Sequence, residues 1–293
     1  MTPTPDATVS EYFDSHMHTP LCKHAWGEPE EYAEQALRMG LSGIVFTCHS
    51  PMPRGFWQHV RMHEDQFDEY VALIQRCRDH YAGQLEVRLG MESDYFPGYE
   101  AWVEKLHRTA DFHYCLGSVH WQGPEYHEMF DTGHPDDFRR SYWENLAASA
   151  ETGLFDCLAH PDLIKNYRPS TWNFDEWQET IAAALDRIAR TGVAMELNTS
   201  GLLKSFSEMN PSSAILRMMH QRGIPVVLGS DSHKPSRVGE NFILALETIQ
   251  QAGHENVSLF HSRKRQDLPI PAILAHLRTT QRAKDELGVL AVV

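Results

Sequence analysis

The sequence predicts an α/β fold built on a parallel sheet, and three observations carry that expectation. Short β-rich apolar runs alternate with amphipathic helical stretches, the order that βαβ units produce. Each main helical stretch is followed closely by a glycine, a common helix stop. No Ser/Gly-rich linker, charge block, low-complexity tract or internal repeat divides the series, so residues 1–293 are expected to form one domain. Barrels of α/β type commonly reach this length as a single unit.

Taken in order, the first strand is expected over Glu11 to Asp14, followed by a helix from Glu28 to Met39 that stops at Gly40. Gly43 to Thr47 forms the second strand, and a helix from His63 to Tyr81 ends before Gly83. Leu85 to Gly90 and Phe112 to Gly117 are the third and fourth strands. A helix from Pro135 to Thr152 stops at Gly153 and leads into a fifth strand, Phe155 to Ala159. The helix from Phe174 to Arg190 stops at Gly192 before a sixth strand, Val193 to Asn198. Pro211 to Gln221, stopped by Gly223, precedes the seventh strand, Ile224 to Gly229. The core is thus expected over residues 11–255, with 256–293 an extension packed outside it, where Pro269-Ile270-Pro271 breaks the chain before a final helical stretch.

The net charge of -14 disfavours general affinity for nucleic acid or an anionic membrane, so an anionic substrate would need local cations. No apolar stretch is long enough to span a bilayer, and the first residues lack the basic and apolar regions of a signal peptide. A cytoplasmic protein is expected. Cys22, Cys48, Cys77, Cys115 and Cys157 are odd in number, dispersed and without a C-x-x-C, which argues for buried free thiols.

The 18 histidines direct attention to their placement. Asp14-Ser15-His16-Met17-His18 would aim two imidazoles to one side of an extended chain, half of a site for a borderline transition metal but a weak signal alone. Later strand ends supply the rest. His24 follows closely, the second strand runs into Cys48-His49-Ser50-Pro51, and the third into Met91-Glu92-Ser93-Asp94. The fourth leads to Gly117-Ser118-Val119-His120, the fifth to His160-Pro161-Asp162 and the seventh to Gly229-Ser230-Asp231-Ser232-His233. In a parallel barrel these ends share one rim, so seven histidines and two carboxylates would meet in one pocket. The other histidines, such as His63, His80, His107 and His220, show no such placement and are assigned to the surface or partial burial.

This ordered set resembles the PHP (polymerase and histidinol phosphatase) superfamily over roughly residues 12 to 240. His18-Thr19-Pro20 with Cys22, Glu196-Leu197-Asn198-Thr199-Ser200-Gly201, and Ser232-His233 followed by Val238-Gly239 look like its monofunctional histidinol-phosphatase branch. The resemblance implies a distorted TIM-like (β/α)7 barrel with a trinuclear metal site at the C-terminal rim of the strands, and the seven strands counted above agree with it. It also implies a ligand set: His16, His18, Glu92 and Asp231 for one ion, Glu92, His120 and His160 for a second, and His24, His49 and His233 for a third. Glu92 would bridge two ions, which the two oxygens of a carboxylate allow. The implied cofactors are three divalent transition-metal ions, Zn, Mn or Fe.

The implied reaction is hydrolysis of L-histidinol phosphate to L-histidinol and phosphate by a metal-bridging hydroxide, with Glu92, Asp231 and His233 as catalytic residues. Three divalent ions less two carboxylates and one hydroxide leave a local charge of about +3, which reconciles an acidic protein with an anionic phosphate monoester. Arg54, Lys234 and Arg237 are candidate substrate-binding cations. Asp14, Asp94 and Asp162 stand beside proposed ligands and are candidates to orient imidazoles or, equally, to cap a strand end or turn. The segment from Ser50 to Arg61 is a candidate lid, with Phe56 and Trp57 either facing substrate or packing on the rim.

The same centre on a nucleotide, a nucleic-acid 3′ end or a phosphotyrosine protein is the alternative reading, and the acidic balance opposes nucleic acid. An amidohydrolase would leave His24, His49 and His233 unexplained, and a non-catalytic scaffold would not need every ligand position filled.

Overall fold

A computed structural model describes residues 12–290, without the side chains of Arg54 and of residues 285–290. Glu11, the expected start of the first strand, lies outside the described residues. Nine strands form one sheet in chain order: β1 (Phe13–Met17), β2 (Gly43–Phe46), β3 (Glu86–Asp94), β4 (Tyr114–Ser118), β5 (Cys157–Leu158), β6 (Ala194–Asn198), β7 (Val226–Gly229), β8 (Asn256–His261) and β9 (Lys264–Pro269). All neighbouring pairs from β1 to β8 are parallel, and only β9 runs antiparallel, to β8.

Parallel neighbours need crossover connections, and helices supply them. These are α1 (Pro29–Met39), α2 (Phe67–His80), α3 (Glu100–Leu106), α4 (Pro124–Phe130) with α5 (Pro135–Glu151), α6 (Phe174–Thr191), α7 (Ser213–Gln221) and α8 (Phe242–Gln251); α9 (Ile270–Leu290) follows β9. Local chemistry sets their limits. α1 has Pro29 in its first turn, a capping box between Glu28 and Glu31, and a left-handed Gly40 at its end. α6 starts where the Asn173 side chain accepts from Asp175 N and stops at Gly192 with φ 75°. Covered by these helices, β1, β2 and β4 to β7 are buried along their whole length, as parallel strands flanked on both faces must be.

The ends of β1 and β7 also meet. Met17 and Ser232 form a parallel bridge, with His18 N donating to Ser232 O at 2.9 Å and Ser232 N to His16 O at 3.2 Å.

The strand boundaries differ from the sequence reading in ways that matter. β1 extends through His16 and β3 through Asp94, so His16, Glu92 and Asp94 stand on strands and inherit their rigidity. The sequence reading has no β8 or β9 and no α3, α4 or α8. The β8–β9 turn puts Ser262 and Arg263 at φ 48° and 62°, a two-residue hairpin geometry that usually advertises itself as Asn-Gly. β9 is an exposed, charged edge strand (Lys264, Arg265, Asp267), a composition that discourages further pairing. Among the described residues, no helix is long and apolar enough to cross a membrane.

Candidate metal centre

The deepest corner of the rim is built by β1. His16 and His18, two residues apart, point the same way, and a register shift against β2 falls between Asp14 and Met17. Their Nε2 atoms face each other at 3.2 Å. Asp231 Oδ1 lies 3.2 Å from His18 Nε2 and 3.6 Å from His16 Nε2. Asp231 and His160 leave their strands at φ 51° and 30°, left-handed conformations that cost a non-glycine residue roughly 1–3 kcal/mol and recur at functional sites. Gly229 has the opposite task. A Cβ there would stand 2.1 Å from Glu196 Oε1 and 2.7 Å from His16 Cβ, so only glycine lets β7 pass this corner.

Glu92, 1% exposed, occupies the middle. Its Oε1 is 2.9 Å from His160 Nε2 and 3.4 Å from His120 Nε2; its Oε2 is 2.9 Å from His49 Nδ1, 3.4 Å from His16 Nε2 and 3.6 Å from His18 Nε2. The two oxygens thus face different histidine sets. At the outer corner His24 Nε2 and His233 Nε2 stand 2.9 Å apart, with His49 completing a trio. Cys22, read from sequence as a buried free thiol, is buried and lies within 4.8 Å of donor atoms on His18 and His233.

These donors suit divalent cations. Atoms bound to one tetrahedral ion at about 2.0–2.1 Å lie roughly 3.3 Å from one another, close to the spacings here. Paired imidazole nitrogens at this range share at most one proton, and buried Glu92 Oε2 has no hydrogen-bond partner, a combination that a cation resolves. Charge points the same way. Burial raises the Glu92 and Asp231 carboxyls, yet the surrounding imidazoles outweigh it and hold both well below the carboxylate range. Burial likewise opposes protonation of His18 and His120, but adjacent carboxylates raise both to about 9. His49, His24 and His233 lie lower than an ordinary imidazole because burial prevails, His49 at about 4.

Imidazole ligands need their second nitrogen fixed. His120 Nδ1 donates to Asp94 Oδ1, His16 Nδ1 to Glu196 Oε1 at 2.7 Å, His24 Nδ1 to Cys22 O at 2.7 Å and His233 Nδ1 to Asp231 O at 3.0 Å. Glu196 Oε2 also accepts from His160 N at 2.7 Å and Asn198 Nδ2 at 3.0 Å. Of the three aspartates that could orient an imidazole or cap a turn, Asp94 orients one. Asp14 takes the capping role, accepting from Ser230 N at 3.0 Å, just past β7, and from Gly239 N at 2.9 Å further along the same loop. Asp162 takes Lys165 Nζ at 3.2 Å, Asn210 Nδ2 at 2.6 Å and Ser212 N at 2.9 Å, pairing a buried lysine that would otherwise be costly. Glu196 opens the Glu196–Gly201 motif, which by itself assigns it no role; its position on β6, with Oε1 on His16 Nδ1, gives it one.

Seven of the nine donors, all but the fully buried His16 and His18, border a cleft of about 240 Å³ also lined by Trp57, Val60, Gln122, Leu163 and Lys204. Lys204 Nζ is 3.8 Å from Asp231 Oδ2. It lies three residues beyond Gly201 in the segment after the sixth strand, and its position after a strand end is the signal for it in the sequence. The expected cations sit elsewhere: Lys234 is exposed and Arg237 pairs with Glu240 at 2.8 Å, and neither lines the cleft. The Arg54 side chain lies outside the described residues. The two loop aromatics divide. The Trp57 ring lies 5.9 Å from that of His120, whereas Phe56 packs edge-on to Phe96 and Tyr99 at 5.1 and 5.2 Å.

A model of the PHP domain family matches residues 14–200. A probable histidinol-phosphatase of Deinococcus radiodurans is 41% identical over 85% of this chain and 97% of its own length. The histidinol-phosphatase of Bacillus subtilis is 26% identical over 80% of this chain and 98% of its own. In fold, the chain is similar to a histidinol phosphate phosphatase of Lactococcus lactis solved with zinc, L-histidinol and phosphate. The TM-score is 0.74 at 20% identity, over 87% of this chain and 99% of that one.

Proposed function

The chain belongs to the PHP domain family, and on that premise we infer that it is a metal-dependent phosphomonoesterase hydrolysing L-histidinol phosphate to L-histidinol and phosphate. The observation that carries this reading is Glu92, whose two oxygens face separate imidazole sets at the floor of a cleft edged by a lysine. The sheet is read as a distorted (β/α)7 barrel closed by the Met17–Ser232 bridge, in one domain spanning 1–293. His16, His18, Glu92 and Asp231 would hold one ion, Glu92, His120 and His160 a second, and His24, His49 and His233 a third, as Zn, Mn or Fe.

Ions bound there would supply Lewis-acid charge and acidify a water for attack on phosphorus. The chain does the rest. Glu92 and Asp231 would fix where the ions sit, and His233 would close the outer side. Lys204 adds a cation at the cleft edge for a phosphate oxygen. Trp57, Val60 and Leu163 form an apolar wall that keeps bulk water from the leaving alkoxide, and Gln122 offers a polar contact to the amino alcohol. Five free cysteines suit the reducing cytoplasm.

The test is phosphate release from histidinol phosphate against a nucleotide, a phosphotyrosine peptide and an aryl phosphate. A kcat/KM for histidinol phosphate well above the rest is expected; equal turnover of all four would leave a phosphoesterase without this substrate.

A further inference from the structure

Arg61 ends the loop read from sequence as a candidate lid, yet it is one of the most buried charged groups in the molecule, at 1% exposure. Its guanidinium is spoken for on three sides. Nη1 donates to Ser50 O at 3.1 Å, Nε to Trp57 O at 3.2 Å, and Nη2 pairs with Asp94 Oδ2. The other Asp94 oxygen receives His120 Nδ1. The loop that Arg61 closes carries Trp57 into the cleft wall, with Trp57 itself at φ 38° and its N donating to Glu125 Oε1 at 2.8 Å. The guanidinium carbon also lies 5.4 Å from the centre of the Phe56 ring and 5.8 Å from that of Trp57. One side chain therefore ties together both ends of the loop, the wall of the cleft and the carboxylate that orients a ligand.

We propose that Arg61 is a positioning residue that acts through Asp94 on His120, so that metal retention at Glu92, His120 and His160 and the placement of Trp57 depend on one buried guanidinium. The physical reason is the number of partners Asp94 has. At 3% exposure its carboxylate needs more than one donor to stay ionised and aligned. Without Arg61 it keeps only the His120 N–H on the described side chains, and it must turn or admit water to complete its shell. His120 then loses the fixed Nδ1–H donor that holds its Nε2 toward Glu92. The rigid fork of arginine reaches a carboxylate and two carbonyls at once, which the single point of a lysine does not.

This rests on the metal-centre reading of the cleft, and its test is a binding measurement that does not depend on the substrate assigned. Apo-protein of wild type, Arg61→Met, Arg61→Lys, Asp94→Asn and the double variant R61M/D94N is titrated with Zn²⁺ against a chromophoric chelator, alongside circular dichroism and thermal unfolding. Folded R61M should bind one Zn²⁺ equivalent about 10–100-fold more weakly, the loss typical of removing a group that orients a metal ligand. R61K should recover only part of it, and D94N should show a comparable loss. The double variant should be no worse than D94N, because Arg61 acts through Asp94. Wild-type Zn²⁺ affinity in folded R61M, or losses that add in the double variant, would overturn the proposal. Should R61M not fold, R61K and R61K/D94N carry the same comparison. If the Zn²⁺ results hold while histidinol phosphate is not turned over, the substrate assignment fails and the role of Arg61 stands.

Discussion

The inner and outer corners of the cleft are built from the same side chains on different supports. At the inner corner His16 stands on β1 at 0% exposure, with its Nδ1 on a carboxylate, Glu196, and Asp231 opposite. At the outer corner His24 and His233 stand on loops, partly exposed, and their Nδ1 atoms rest on the carbonyls of Cys22 and Asp231 two residues away. A carboxylate behind an imidazole makes it a more basic ligand than a carbonyl does, and a strand ladder moves less than a loop. On the proposed metal reading, the inner position would hold an ion tightly and the outer one would exchange ion and ligand more readily.

The largest expected contrast comes from His16→Ala against His24→Ala. The first should abolish turnover, by a factor on the order of 10³ or more, and remove metal from both sets that share Glu92. The second should release one equivalent and leave the inner ions in place, as read by metal analysis of gel-filtered protein. Equal metal loss in the two variants would break the comparison.

A smaller effect is expected when the carboxylate is replaced but the shape is kept. Glu196→Gln should weaken the tightest Zn²⁺ equivalent about 10–100-fold and leave the weakest unchanged, measured by chelator competition. Loss at the weakest equivalent instead would assign Glu196 to the wrong corner. The smallest effect belongs to Lys204, a partly exposed group at the cleft edge. Lys204→Met should lower kcat/KM by about tenfold with all metal retained, since one charge-assisted contact is worth roughly 1.5–3 kcal/mol at most. Metal loss in K204M would make the lysine a structural partner of Asp231 rather than a substrate contact.

How far these roles are visible without coordinates depends on sequence distance. The donors His16, His18, Glu92, His120, His160 and Asp231 can be picked out because a parallel sheet brings strand ends to one rim, a rule that needs only strand order. Glu196 cannot, since its partner lies 180 residues away and a lone glutamate on a strand looks like any other. For Asp14 and Asp162 the sequence leaves an imidazole-orienting and a capping role equally open, and the structure places them on backbone donors and a buried lysine. Ser262 and Arg263 carry no hairpin signature, so the sequence does not advertise β8 and β9.

The amino-acid order by itself determined the alternation of elements and the set of groups presented at the strand ends, because periodicity and glycine stops act over a few residues. Only the tertiary structure decided which oxygen of Glu92 faces which imidazoles, that Lys204 rather than Lys234 or Arg237 borders the cleft, and that a loop arginine is buried against Asp94. Those outcomes turn on angles and separations of a few ångströms between segments far apart in the chain, and packing alone sets them.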